Sequence, residues 1–202
     1  MTGRSGTLRA RSDLQNSILT QFKEYPLILR FACERFSRKS RYNRTSFAIP
    51  WKIMNEIQAL YQQMILDHNK NPRNFAEMED STHSSEGHNP LCGDEVTIYM
   101  KIHEGIIEDI TFKGSGCAIS TSSASIMTTV LKGRSLEEAE QFFNQFHGIV
   151  TASMDTHINS DELGKLAVFT GVREFPARVK CASLAWHTMN NAMRGNGPVS
   201  TE

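Results

Sequence analysis

The sequence predicts an α+β fold, in which a small antiparallel sheet packs against several helices. Three observations support this prediction: one segment alternates apolar and polar residues like a pair of strands, amphipathic helical stripes lie on both sides of it, and no internal repeat occurs. The chain has 202 residues, of which 39% are hydrophobic. A chain of this size and composition can form one domain with a sizeable core.

Charge is distributed unevenly along the chain, although the formal net charge is zero. Residues 1–53 carry 11 of the 22 Lys and Arg residues but only 3 of the 22 Asp and Glu residues. The rest of the chain therefore carries 11 basic and 19 acidic residues. The first segment is rich in Arg and Ser and has no sustained helical or strand periodicity. We therefore predict a basic N-terminal extension over residues 1–53 and a domain over residues 54–202.

Three interpretations of the extension stay open: a disordered basic arm that contacts polyanions, an organellar targeting peptide, and sequence upstream of the true start. Met54 favours the third, because an ordered helical pattern begins there. No secretory signal is evident, and no segment reaches the roughly 18 apolar residues of a membrane span. We expect a cytoplasmic protein, or an organellar one if residues 1–53 are a targeting peptide, with neither nucleic acid nor membrane as a partner.

The predicted domain begins with an amphipathic helix. Asn55 can cap this helix, and Pro72 should end it. Residues 76–91 are predicted to form a short strand at most, followed by a loop. The apolar stripe of the helix follows the spacing i, i+3, i+4, i+7 and i+8, at Ile57, Leu60, Tyr61, Met64 and Ile65.

A hairpin follows the loop. The segment "DEVTIYMKIH" at 94–103 alternates, and "IIEDITFK" at 106–113 alternates in the same way after a turn at Glu104 and Gly105. Two such runs with a short turn predict antiparallel strands. One face of the first strand carries Val96, Ile98, Met100 and Ile102.

Four helices are predicted after the hairpin. The first starts behind "GSG" at 114–116 and ends at "KGR" at 132–134. Ser135 and Glu138 form a capping box for the second helix, which Gly148 should end. A short helix from Asp161 to about Thr170 and a last helix after Pro176 complete the fold.

The four cysteines are Cys33 in the extension and Cys92, Cys117 and Cys181 in the domain. Three thiols in the domain do not suit a disulfide framework, and retained thiols in a reducing compartment bind metal, act in catalysis or are buried. Cys117 should start a helix, where unpaired N–H groups and the helix dipole lower a thiol pKa. Each of the three cysteines lies near the end of a predicted element.

Three thiolates and Asp94 would supply four ligands in a tetrahedron, a set that Zn²⁺ accepts. Iron or an iron–sulfur cluster would accept the same sulfurs. The spacing alone also allows each cysteine to be a small buried hydrophobic residue and Asp94 to be a turn residue. Lys180 beside Cys181 is a candidate auxiliary residue that could steady the charge of the site, or it could be a solvated lysine.

Four stretches of the domain resemble a known family, the U-type iron–sulfur assembly proteins that include IscU, the N-terminal domain of NifU, and SufU. The resemblance covers Met54 to about Arg194, and it implies the SufE/NifU-like α+β fold. The stretches are "ILDHNKNPRN" at 65–74, "NPLCGDEV" at 89–96, "FKGSGCAIS" at 112–120 and "FPARVKCASLAW" at 175–186. Together they are far more specific than the cysteine spacing alone.

The details resemble the SufU branch more than IscU. Lys180 occupies the position before the third cysteine where IscU-type proteins have histidine, and "FPARVK" replaces their proline-rich stretch. The resemblance implies that Cys92, Asp94, Cys117 and Cys181 bind zinc and that Cys92 accepts persulfide sulfur from a SufS-like cysteine desulfurase. Sulfur would then pass to downstream iron–sulfur assembly proteins.

Two other functions stay open at this point. The chain could be a scaffold on which a [2Fe–2S] cluster is assembled and transferred, or a structural zinc domain without turnover. Whether the chain acts as an enzyme of the sulfurtransferase type stays open as well. The metal found after purification without added iron discriminates between transfer and scaffold.

Overall fold

A computed structural model of the protein describes residues 51–156, 158, 163–195 and 198–201, and the side chains from residue 56 onwards. Residues 1–50 of the predicted extension, including Cys33, lie outside the described residues. So does Asp161, at which a short helix was expected to begin. The division of the chain at residue 53 therefore stays a prediction.

The predicted α+β class is confirmed. The described residues form four α-helices, one 3-10 helix and four strands. In chain order these are α1 (Trp51–Lys70), β1 (His83–Asn89), β2 (Asp94–His103), β3 (Ile106–Ser115), α2 (Ala118–Leu131), α3 (Leu136–Thr151), the 3-10 helix (Gly164–Glu174), α4 (Pro176–Met193) and β4 (Val199–Ser200).

The sheet has the strand order β3-β2-β1-β4. β2 and β3 pair antiparallel, as predicted, and β1 pairs antiparallel with β2. β1 occupies seven residues near the end of the segment 76–91, where the sequence predicted a short strand at most followed by a loop. The two-residue β4 pairs in parallel with β1, through Gly87 with Val199 and His88 with Ser200, so the complete sheet is mixed. A two-residue strand leaves no periodic signal, which is why its pairing could not be predicted.

The predicted hairpin of β2 and β3 is confirmed, including its turn. Glu104 and Gly105 both have positive φ, 50° and 77°. A two-residue turn of this kind matches the right-handed twist of the flanking strands. The alternation buries Val96, Ile98 and Met100. Ile102 is only half-buried, because the register shifts between Lys101 and Ile102.

The centre of the core consists of three aromatic rings from three helices. Phe146 of α3 stacks on Trp186 of α4 with ring centroids 4.5 Å apart, and it meets Phe169 of the 3-10 helix edge to face at 5.5 Å. The Trp186 indole N–H donates to Ser123 Oγ of α2 at 3.2 Å. All three rings are almost completely buried, so they determine how the helices pack together.

Helix starts and stops agree with the sequence in part. The capping box of Ser135 and Glu138 is present, and Pro176 occupies the first turn of α4. Pro72 follows α1, which ends at Lys70. Asn55, however, lies inside α1 instead of capping it, because the helix already includes Trp51.

The predicted ends of two later helices were wrong. α3 continues past Gly148 to Thr151, because Ile149 and Val150 are buried and extend the apolar face of the helix. The helix expected to end near Thr170 is a 3-10 helix that continues to Glu174, and Val172 is buried near its end. In both cases tertiary burial outweighs a local stop signal.

α4 lies unusually close to β1. A Cβ added to Gly87 would lie 2.0 Å from Oγ1 and 3.3 Å from Cβ of Thr188, and 3.1 Å from Leu184 Cδ1. A glycine inside a strand often marks such a close approach. None of the helices in the described part of the chain has the length and apolar character needed to cross a bilayer.

Candidate metal centre

The connection between β1 and β2 exposes Cys92. Backbone N–H groups of Cys92 and Gly93 donate to the carbonyl of Asn89, at 3.3 and 2.9 Å. Gly93 has φ of +66°, a conformation that glycine adopts without strain. Because Asn89 and Asp94 are paired across the strands, the turn between them is short and its side chains project from the end of the sheet. The thiol of Cys92 is exposed there.

Asp94 begins β2 and is completely buried. Its Oδ1 accepts a hydrogen bond from the backbone N–H of Cys117 at 2.8 Å. A Cβ on Gly116 would lie only 2.9 Å from this oxygen, so glycine at this position gives the carboxylate its room. The carboxylate therefore joins the start of β2 to the start of α2.

Cys117 is the N-cap of α2, as the sequence predicted for the start of this helix. Its Sγ accepts a long hydrogen bond from the Ser120 backbone N–H at 3.5 Å. The same sulfur lies 3.8 Å from Asp94 Oδ2. The thiol is exposed, so Cys117 combines access to solvent with the partial positive charge of a helix N-terminus.

Cys181 lies in the second turn of α4 and is 2% exposed. Its Sγ lies 3.1 Å from Cys92 Sγ, and both cysteines are free thiols. Burial, with further contributions from the Cys92 thiol and the Asp94 carboxylate, raises the pKa of the Cys181 thiol strongly. This environment favours the protonated form of the thiol.

The structure brings together three of the four predicted ligands. The ligand atoms of Cys92, Asp94 and Cys181 all lie within 4.8 Å of one another. Cys117 is not part of this group, although it touches Asp94. Lys180 is half-buried on α4 and makes no hydrogen bond or ion pair with the described residues, so its predicted auxiliary role stays a prediction.

The donor set suits Zn²⁺. Zinc binds Cys sulfur and Asp oxygen in tetrahedral sites, at about 2.3 Å for sulfur and about 2.0–2.2 Å for oxygen. Here a buried carboxylate and two sulfurs converge, and a third sulfur lies beside the carboxylate. A buried carboxylate beside thiols is costly unless a cation or donors compensate its charge. Burial also raises the pKa of the Cys181 thiol, because it disfavours the charged thiolate. A bound cation would compensate both charges, so the residues present fit a metal cation.

Sequence reasoning missed one residue of this site, Asn89. Its side-chain amide is completely buried and contacts Cys181 Sγ at 3.3 Å. The residue begins the family-like stretch at 89–96, and its pairing with Pro90 signals only a turn. The contact with a sulfur 92 positions further along the chain has no signal in the sequence.

The first quoted stretch, at 65–74, lies outside the candidate centre. His68 is 1% exposed, and its Nδ1 is 2.7 Å from Ser125 Oγ on α2. The same hydroxyl accepts a hydrogen bond from the Arg73 backbone N–H at 2.8 Å. Burial and then Arg73 lower the pKa of His68 to about 4, so the ring is neutral at pH 7. This stretch fastens the end of α1 to α2.

Comparison with known proteins gives matches over the same region. Residues 60–182 match the family described as the NifU-like N-terminal domain. The zinc-dependent sulfurtransferase SufU of Bacillus subtilis is 39% identical over 137 residues, which are 68% of this chain and 91% of that protein. The iron–sulfur cluster assembly scaffold protein IscU of Streptococcus pyogenes is 36% identical over 141 residues, 70% of this chain and 87% of that protein.

A solved structure agrees with these matches. The crystal structure of a putative iron–sulfur cluster assembly scaffold protein for the SUF system from Fervidobacterium islandicum aligns with a TM-score of 0.60 and 31% identity. The alignment covers 67% of this chain and 98% of that one. The resemblance inferred from the four sequence stretches is confirmed.

Proposed function

The chain belongs to the family of the NifU-like N-terminal domain, and on that premise we propose that it accepts and carries persulfide sulfur for iron–sulfur cluster assembly. Cys92 is the sulfur acceptor in this proposal. Asp94, Cys117 and Cys181 hold Zn²⁺ together with Cys92. The similarity to a zinc-dependent sulfurtransferase of the SufU type supports zinc over iron.

The observation that carries the proposal is the contrast between neighbouring ligands. Cys92 is exposed on a turn, whereas Asp94 and Cys181, within 4.8 Å, are buried on a strand and a helix. An exposed thiol on a turn can reach the active site of a partner. The buried pair can retain a cation while the exposed thiol reacts.

The proposed donor is a cysteine desulfurase that carries a persulfide on its own cysteine. The Cys92 thiolate attacks the outer sulfur of that persulfide, and a new S–S bond forms at Cys92 Sγ. The S–S bond of the donor breaks, and its electron pair leaves with the desulfurase cysteine as a thiolate. The hydrogen on the outer sulfur stays there, so the step needs no additional oxidant or reductant.

Bound zinc would keep the thiols of the site deprotonated, which a sulfur acceptor requires. Within the described residues, the backbone N–H groups of the turn at 91–93 are bonded to one residue, Asn89, through its carbonyl and its side-chain Oδ1, so few contacts hold Cys92 against the rest of the domain. Asp94 stays in place through the N–H of Cys117. Cys181 stays in place because α4 is packed into the core.

The proposal also bears on partners and compartment. The persulfide on Cys92 would pass to downstream proteins of iron–sulfur assembly. Free thiols persist in reducing compartments, so we place the chain in the cytoplasm or in an organelle with a comparable redox state. The described cysteines are free, which is consistent with that placement.

The second candidate function is a scaffold for a [2Fe–2S] cluster, which the similarity to IscU-named relatives favours. Iron–sulfur clusters are held by cysteine thiolates, and three are available here. The two functions differ in the metal retained after purification without added iron. Colourless protein with one zinc per chain supports sulfur transfer, and brown protein with iron and sulfide supports the scaffold.

The decisive experiment locates the transferred sulfur. The full chain is incubated with a SufS-like desulfurase and cysteine, and persulfides are trapped and mapped by mass spectrometry of tryptic peptides. We expect the adduct on Cys92 in the unmutated protein. Cys92→Ala should abolish stimulation of the desulfurase, because no thiolate remains on the turn. Asp94→Ala should retain a detectable adduct at Cys92 while weakening zinc retention.

A matched control removes a different thiol. Cys33→Ala deletes the one cysteine outside the family-like stretches and should leave stimulation and zinc content unchanged. Persulfide found only on Cys117 or Cys181, together with a Cys92→Ala variant that still stimulates the desulfurase, would remove Cys92 from the acceptor role. The scaffold function would then be favoured.

A further inference from the structure

We propose that Asn89 is a positioning residue that holds Cys181 on the metal and thereby directs incoming sulfur to Cys92. The inference rests on the proposed function and extends it to a residue with no assigned role. Asn89 ends β1, is completely buried, and touches both halves of the site through one side chain. Its amide contacts Cys181 Sγ at 3.3 Å and the backbone N–H of Leu91 at 3.2 Å.

The orientation of the Asn89 amide follows from its two contacts. The Leu91 N–H can only donate a hydrogen bond, so the amide atom that faces it must be the acceptor, Oδ1. The other amide atom, which faces Cys181 Sγ, is therefore the NH₂ group. An N–H donor aimed at a sulfur stabilises the thiolate form and lowers the electron density available for attack on another sulfur.

Hydrogen bonding differs among the three thiols. Cys181 Sγ receives the Asn89 N–H, and Cys117 Sγ receives the Ser120 N–H at 3.5 Å. No N–H of the described residues donates to Cys92 Sγ, whose hydrogen-bonding partner is the Cys181 thiol at 3.1 Å. Two of the three sulfurs are exposed, those of Cys92 and Cys117, and Cys92 Sγ is the one of these two without an N–H donor among the described residues. It therefore keeps the greatest electron density for attack on the outer sulfur of a persulfide.

Asn89 acts on the turn as well. Its Oδ1 accepts from Leu91, and its main-chain carbonyl accepts from Cys92 and Gly93. The residue therefore sets the position of the reactive thiol through the backbone and that of the retained thiol through the side chain. One residue thus fixes the position of an exposed cysteine relative to a buried cysteine from a distant part of the chain.

Two variants separate these contacts. Asn89→Asp keeps an acceptor for the Leu91 N–H but replaces the donor that faces Cys181 with a carboxylate oxygen. Asn89→Ala removes both contacts. Asn144→Asp, on the exposed side of α3, is the matched control for the change of charge. Zinc affinity is measured by competition with a chromophoric chelator, and the persulfide position is mapped in the desulfurase reaction described above.

We expect Asn89→Asp to weaken zinc binding about tenfold to a hundredfold, the usual range when an outer hydrogen bond to a metal ligand is lost. Persulfide should appear on Cys181 as well as on Cys92. In protein loaded with Co²⁺ as a probe, the sulfur-to-cobalt charge-transfer bands should move to lower energy, because loss of the N–H raises the energy of the sulfur lone pair. The control should match the unmutated protein in every measurement.

A measurement on the unmutated protein keeps the inference testable if both variants misfold. In ¹⁵N-labelled protein loaded with ¹¹³Cd, the side-chain amide protons of Asn89 should show a scalar coupling to cadmium across the N–H···S contact. Absence of this coupling overturns the inference, as does an Asn89→Asp variant with unchanged zinc affinity, cobalt spectrum and persulfide position. Unmutated protein that takes persulfide at no cysteine instead overturns the proposed function, whatever the coupling shows.

Discussion

Replacing Gly87 with alanine should destabilise the protein and loosen the metal site together. Gly87 lies in β1 at the point where α4 crosses, and the added methyl carbon would lie 2.0 Å from Thr188 Oγ1. Thr188 stands seven positions, about two helical turns, after Cys181 on the same helix. Moving α4 away from β1 therefore moves the buried thiol away from the turn that carries Cys92.

The size of the effect follows from what can move. Thr188 is completely buried, and its hydroxyl donates to the Leu184 carbonyl at 2.8 Å. Rotating the threonine would place either its methyl group or its Cβ hydrogen in this space, and Thr188 Cβ stays 3.3 Å from the added carbon in every rotamer. Relief therefore costs a hydrogen bond and an altered rotamer or a shift of α4, and overpacking of this kind costs typically about 1–3 kcal/mol. We expect the free energy of unfolding to fall by about 2 kcal/mol.

The assay is urea unfolding of the zinc-free chain, followed by zinc competition on the folded variants. Gly148→Ala is the matched control, because an added Cβ at Gly148 meets nothing within 4 Å and the residue lies in the last turn of α3. That change should stabilise the protein by about 0.4–1 kcal/mol. Combining Gly87→Ala with Thr188→Ala should recover at least about 1 kcal/mol of the loss, as expected for residues in direct contact.

Two results would refute this reasoning. If Gly87→Ala changes the free energy of unfolding as little as a surface substitution does, within about 0.5 kcal/mol, α4 is not seated on β1 at this glycine. If the double variant shows no coupling between the two positions, the cost arises somewhere other than the contact with Thr188.

Three further predictions concern the metal, one histidine and the N-terminal segment. Chelation of zinc should lower the melting temperature markedly without abolishing folding. Zinc peptides without a core depend on the whole zinc-binding free energy of roughly 10–16 kcal/mol to fold, whereas a domain with its own core depends on only part of it. An unchanged melting curve after verified zinc removal would contradict this prediction. His68 binds its proton at a pKa of about 4 when folded and 6.5 when unfolded, so the free energy of unfolding should fall as the pH drops from 6.5 to 4, by at most about 1.4 kcal/mol per pH unit. His68→Gln should flatten that slope in urea titrations of zinc-free protein, and equal slopes would show that the histidine is not responsible. A chain that starts at Trp51 should bind one zinc like the full chain, since all four proposed ligands lie further on; insoluble or metal-free protein would assign residues 1–50 to the fold.

The sequence predicted elements whose signals are local. The turn at Glu104 and Gly105 and the capping box of Ser135 and Glu138 are each determined by residues within four positions of one another. The alternation of β2 identified its buried face up to the bulge at Ile102. Such features depend on short-range sterics and hydrogen bonds, which an amino-acid sequence displays directly.

Features that depend on packing were predicted less well. Gly148 looks like a helix stop, yet α3 continues because the residues after it are buried against the rest of the domain. The family-like stretches predicted one site formed by Cys92, Asp94, Cys117 and Cys181. The ligand atoms of Cys92, Asp94 and Cys181 do lie within 4.8 Å of one another, whereas Cys117 lies outside this group. Asn89 was missed, since only the three-dimensional arrangement shows which sulfur its amide faces.

The separation of Cys92 from Cys181 by 89 positions has a kinetic consequence. Closing a loop of this length costs entropy that must be spent before the contact gives any stabilisation, and such contacts form late in folding. A chain in which β1 and β2 have paired but α4 has not docked presents isolated thiols and not a chelating pair. The proposed metal would therefore bind finished molecules and not folding intermediates, and a partner that recognises only the metal-bound form would not engage an immature chain.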